Sequence, residues 1–66
     1  MKEKLIENIK KADDLIVRNV RLMAFYAPVE GGEKMFDKLA HDTEQLLEIR
    51  ARFSYVLASQ FKIYGM

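Results

Sequence analysis

The sequence has no cysteine, one proline, one histidine and three glycines among its 66 residues. Each scarcity closes off a class of function. Without cysteine there is no disulfide to staple a small core and no thiolate ligand for zinc. That suits a reducing compartment, and a cytoplasmic protein is expected. His41 is the only histidine, and neither Ser54 nor Ser59 falls near it in the helical pattern, so nucleophilic catalysis has no base to draw on. No strong excess of one charge is present either: the net charge is +1, which sets up no global basic field for nucleic acid. Long apolar runs are missing. The longest, Leu22 to Val29, falls far short of the roughly 20 residues that span a bilayer. Lys2 and Lys4 mimic the start of a signal peptide, but Glu7, Lys10, Lys11, Asp13 and Asp14 interrupt any apolar stretch behind them. No membrane partner is expected.

What remains is half apolar and about a third charged, a composition too apolar for disorder. The length allows one domain, residues 1 to 66. Chains this small bury only about 60% of their unfolded surface and often need a partner. Everything is arranged around Ala27-Pro28-Val29-Glu30-Gly31-Gly32-Glu33. Pro28 removes a backbone donor and disfavours helical geometry at Ala27, and the two glycines can reverse the chain. The reading is a helix over about residues 3 to 26, a turn over 27 to 32, and a helix over about 33 to 64.

In the first segment Lys4, Glu7, Lys11, Asp14, Arg18 and Arg21 form a polar stripe at helical spacing. Opposite it run Leu5, Ile9, Ala12, Ile16, Asn19 and Met23, widened by Ile6, Leu15, Val20 and Leu22. Glu7 with Lys11, and Asp14 with Arg18, stand four apart in the order that supports a helix. No capping residue precedes the first turn, so the start should fray. Asn19 interrupts the apolar seam, as register-setting polar residues do. Phe25 continues the polar stripe, and the turn is expected to cover it.

The second segment begins acidic and ends basic, which complements the helix dipole, and Gly65 is placed to terminate it. Its seam reads Phe36, Leu39, Thr43, Leu46, Arg50, Phe53, Leu57, Gln60 and Tyr64. Met35, Ile49, Val56 and Ile63 flank it on one side, and Ala40, Leu47 and Phe61 on the other. That face is wider than the stripe of a simple coiled coil, so one neighbouring helix cannot cover it.

Folding at the turn pairs Asn19 with Thr43, and Ala12 with Arg50, in a polar core layer of Asn19, Thr43 and Arg50. The Arg50 charge then needs an acid, either Asp13 or one from another subunit. Phe61, Ile63 and Tyr64 overhang the start of the first helix. The fold expected is therefore all-α: an antiparallel two-helix hairpin that dimerises into a four-helix bundle. Ile49, Phe53, Val56, Leu57, Phe61, Ile63 and Tyr64 form the expected dimer interface.

Asp37, His41, Glu44 and Glu48 share a face at metal-ligand spacing, but that face is the outer one, and no metal or cofactor is expected. Arg50 with Asn19 or Gln60 is read as a core network rather than an anion site. Lys11, Arg18, Arg21 and Phe25 interleave bases with an aromatic, the pattern that holds phosphates and stacks on a nucleobase. The segment from His41-Asp42 through Ala51-Arg52-Phe53 is loosely similar, with a gap, to the second helix of the Rop family of plasmid proteins. That resemblance implies a dimer of hairpins that binds paired RNA loops, although the first helix does not carry that family's RNA-contacting pattern. The functional expectation is a small non-enzymatic regulator or adaptor that makes protein contacts as a homodimer. The alternative is a Rop-like regulator that binds nucleic acid on the outer face of the first helix.

Overall fold

The computed structural model describes residues 1–65. Two helices account for the architecture: α1 over Lys2–Tyr26 and α2 over Glu33–Phe61. They pack side by side as an all-helical hairpin, a rod of 47 × 17 × 14 Å. The length follows from α2, whose 29 residues rise about 1.5 Å each.

The reversal is built from two consecutive turns. The Val29 N–H donates to the Tyr26 carbonyl at 3.0 Å, and the Gly32 N–H donates to the Val29 carbonyl at 3.0 Å. Gly31 takes φ +82° at the third position of the second turn, where a type II turn needs a residue that tolerates positive φ. Gly32 is required for a different reason. A Cβ there would lie 2.8 Å from the Tyr26 carbonyl oxygen, inside van der Waals contact. One expectation fails locally. Ala27 stays in right-handed helical geometry (φ −54°, ψ −46°) despite preceding proline, because its N–H donates to the Met23 carbonyl at 2.9 Å. That bond and the Tyr26–Val29 bond offset the steric bias from Pro28.

The far end of α2 also differs from the expected 33–64. The helix stops at Phe61, and Lys62, not Gly65, takes the terminating left-handed geometry with φ +57°. The backbone N–H groups of Lys62 and Ile63 both close on the Leu57 carbonyl. The physical reason lies in α1. Counting equal steps outward from the Arg50–Asp13 layer reaches Phe61 on α2 and Lys2 on α1, so α2 ends level with its neighbour. Beyond that level no helix face supports another turn. The expected helical overhang of Ile63 and Tyr64 is therefore a short non-helical segment, with Ile63 half-buried and Tyr64 exposed.

Among the described residues the buried apolar side chains are Ile9, Ala12, Leu39 and Leu57, of which Ile9 and Leu57 are fully buried. Asn19 is buried with them. Ile9, Ala12, Ile16, Asn19 and Met23 are the buried or half-buried seam of α1, at the three- and four-residue spacing of one helical face. The opposing face of α2 presents Leu39, Thr43, Leu46, Arg50, Phe53 and Leu57, all buried or half-buried. Two helices have only one contact line between them, and the flanking residues stay in water. Leu15, Val20 and Leu22 of α1, and Met35, Leu47 and Ile49 of α2, are exposed large apolar side chains.

Candidate functional site

The polar residues of the seam separate into three local arrangements. Arg50 Nε donates a charge-assisted hydrogen bond to Asp13 Oδ1 of the neighbouring helix. Thr43 does not meet Asn19. Its hydroxyl donates to the Leu39 carbonyl of its own helix at 2.7 Å, and across the interface it lies 4.0 Å from Met23 Sδ. A mid-helix threonine finds the carbonyl one turn back at no cost in reach, and that local bond outcompetes the cross-helix one. Asn19 is only 4% exposed and makes no side-chain hydrogen bond among the described residues. Asn19 thus lies in the seam, and the expected Asn19–Thr43 hydrogen bond is not formed.

Asn19 borders a trough of about 400 Å³ between the helices. Leu15, Arg18 and Asn19 line it from α1, and Met35, Lys38, Leu39, Asp42, Gln45 and Leu46 from α2. The lining joins apolar Leu15, Met35, Leu39 and Leu46 to two amides and to charges of both signs. A smaller depression of about 180 Å³ lies at the turn between Tyr26, Ala27, Glu33, Phe36 and Asp37. Arg50 borders neither, so its charge is committed to Asp13 rather than to a ligand cavity.

Of the expected dimer-interface residues, Leu57 lies elsewhere. It is 0% exposed within the single hairpin, packed in the core between α1 and α2, and offers no surface to a second chain. Helical geometry explains that place, which the seam read from the sequence also gives it. Leu57 shares the central line of α2 with Leu39, whereas Ile49 and Val56 sit on its shoulder. Ile49 is exposed, Phe53, Val56, Phe61 and Ile63 are half-buried, and Tyr64 is exposed.

The outer face of α1 presents Lys11, Arg18, Arg21 and Phe25, all exposed. Lys11 pairs with Glu7 at 3.5 Å, but Asp14 and Arg18 do not close the pair their spacing allowed. The turn does not cover Phe25. Its ring is 65% exposed and stands edge-on to Tyr26 at 5.2 Å between centroids. Tyr26 turns inward instead, half-buried beside Phe36. On α2, Gln45 Nε2 lies 3.4 Å from His41 Nε2, and Glu48 accepts from Arg52 at 2.7 Å. Among the described residues, no three histidine or carboxylate side chains gather as metal ligands.

No helix is long and apolar enough to cross a membrane among the described residues. Comparison with protein-family models, curated proteins and solved structures finds no match. The functional reading therefore rests on this surface alone, since a shared architecture does not carry a shared activity.

Proposed function

We propose that the chain is a small non-enzymatic regulator or adaptor, acting in the cytoplasm through protein contacts as a homodimeric four-helix bundle. One observation carries the reading: the surface is too large for the mass. The accessible surface is 5139 Å² for 7.7 kDa. A compact folded monomer of that mass exposes about 4,300 Å². The excess is roughly 800 Å², the area one partner contributes to a standard protein–protein interface. Large apolar side chains including Leu15, Val20, Leu22, Met35, Leu47 and Ile49 are exposed on this surface, and the fully buried core is small. Protein association is the economical use of such a surface, and exposed Phe25, Tyr55 and Tyr64 are aromatic anchors of the kind that dominate contacts.

Sedimentation across a concentration series tests the dimer. A two-hairpin particle is expected at micromolar concentration, and a persistent monomer there would overturn the reading. Affinity capture from the source cell, with bound protein and nucleic acid both identified, tests the adaptor role. A protein partner retained in high salt supports it. Recovery of RNA or DNA alone removes it.

A second reading, a nucleic-acid-binding regulator, is favoured by one feature. Arg18, Arg21 and the exposed Phe25 ring lie on one outer stripe of α1, and neither arginine forms an ion pair among the described residues. Its binding should weaken steeply with salt. Unchanged binding after Arg18→Ala with Arg21→Ala would show that this surface is not the site.

A further inference from the structure

We propose that the second copy docks on one particular edge of the hairpin, the trough beside Leu15 and Asp42, with the Asn19 amide at its centre. This rests on the homodimer reading above and names the edge that makes it.

The hairpin has two edges where α1 and α2 diverge. One carries Leu15 and Leu22 from α1, and Met35, Asp42 and Ile49 from α2, each set at heptad spacing. The other carries Asp13 and Val20 from α1, and Leu47 and Ser54 from α2. Both expose apolar side chains, so apolar surface alone does not choose between them.

Polar groups do. On the second edge the charges are matched within the chain, since Asp13 and Arg50 bind each other. On the first edge Arg18, Lys38 and Asp42 line the trough, and none forms an ion pair among the described residues. Asn19 lines the same trough, and although the residue is only 4% exposed and makes no side-chain hydrogen bond among the described residues, its amide is open to water there.

A second copy of this chain fits these requirements. A two-fold interface uses the same patch on both sides, so the patch must be complementary to itself. Cations and an acid on one rim set Arg18 or Lys38 of each copy against Asp42 of the other. The second copy also brings two amides, Asn19 and Gln45, and an amide both donates and accepts. A small molecule fits less well. Two helices wall the trough on two sides only, whereas ligand pockets bury most of their occupant.

Charge reversal tests the edge without touching the core. Asp42→Lys leaves the trough lined by cations only, and Arg18→Glu with Lys38→Glu leaves it lined by acids only. Each should weaken self-association about tenfold or more in sedimentation, and mixing the two in equal amounts should restore a heterodimer. Val20→Glu, on the other edge, should leave the dimer intact. Helix content by circular dichroism should be unchanged throughout. If the reversed variants dimerise like the natural chain, if mixing restores nothing, or if Val20→Glu alone dissociates the dimer, the edge is wrong while the homodimer stands. A natural chain that stays monomeric at micromolar concentration overturns both.

Discussion

Leu57 shows how much of this fold rests on very few side chains. With four buried apolar residues in the described chain, each one is a large share of the core. Truncating a wholly buried leucine to alanine costs about 2–5 kcal/mol. A chain of this length has a total stability of about 3–10 kcal/mol at ordinary per-residue values. Leu57→Ala should therefore leave a substantial unfolded fraction at room temperature, read as lost helix signal in circular dichroism. Ser54 makes the opposite case. Its hydroxyl oxygen is buried and has no hydrogen-bond partner, unlike Thr43 and Ser59, which donate to the carbonyl one turn back. Removing an unsatisfied buried polar atom relieves a cost of about 1–3 kcal/mol, offset in part by the small void left behind. Ser54→Ala should raise the urea midpoint, and a fall would show that the oxygen does find a partner.

The turn is the element whose residues are least exchangeable. Gly31 and Gly32 look alike in the sequence, but the fold constrains them differently. At Gly31 a Cβ meets nothing, and only the φ of +82° resists substitution. Gly31→Ala should cost about 1–2 kcal/mol, the left-handed penalty of an L-residue. At Gly32 the backbone angle is ordinary, but the Tyr26 and Val29 carbonyl oxygens lie 2.8 and 3.1 Å from any added Cβ. Both are backbone atoms and cannot rotate away. Gly32→Ala should therefore be the more damaging change, and paired urea titrations of the two variants check the order. Equal losses would show that the turn relaxes freely. Neither helix has a side-chain hydrogen bond at its N-cap, so packing along the seam rather than capping holds both in place.

As a whole the molecule is a rod. Its radius of gyration is 14.5 Å, against about 11 Å for a compact domain of this length. A rod of two helices has one line of contact and two open edges, and that geometry leaves Leu15, Leu22, Met35 and Ile49 in water. If pairing of two hairpins covers one edge, stability is tied to association by mass action. The melting temperature should then rise with protein concentration over the micromolar range. A melting temperature independent of concentration would show that the lone hairpin is the stable species.

The sequence by itself determined the two helices, the place of the turn and the residues of the seam. These follow from local rules: side-chain periodicity, and the backbone limits of Pro28 and the glycines. It also put Arg50 in need of an acid, because a charge in an apolar seam must be paired. Only the tertiary structure decided which acid, and it chose Asp13. It likewise decided that Thr43 bonds its own helix and that Asn19 is left facing a trough. Each of these depends on the rotation and register of one helix against the other. About a quarter of a turn moves a residue from the contact line to its shoulder, and periodicity on a single helix is too coarse to fix that. The end of α2 was hidden for the same reason. Phe61 is the last helical residue because α1 begins opposite it, a fact about the neighbour and not about Gly65.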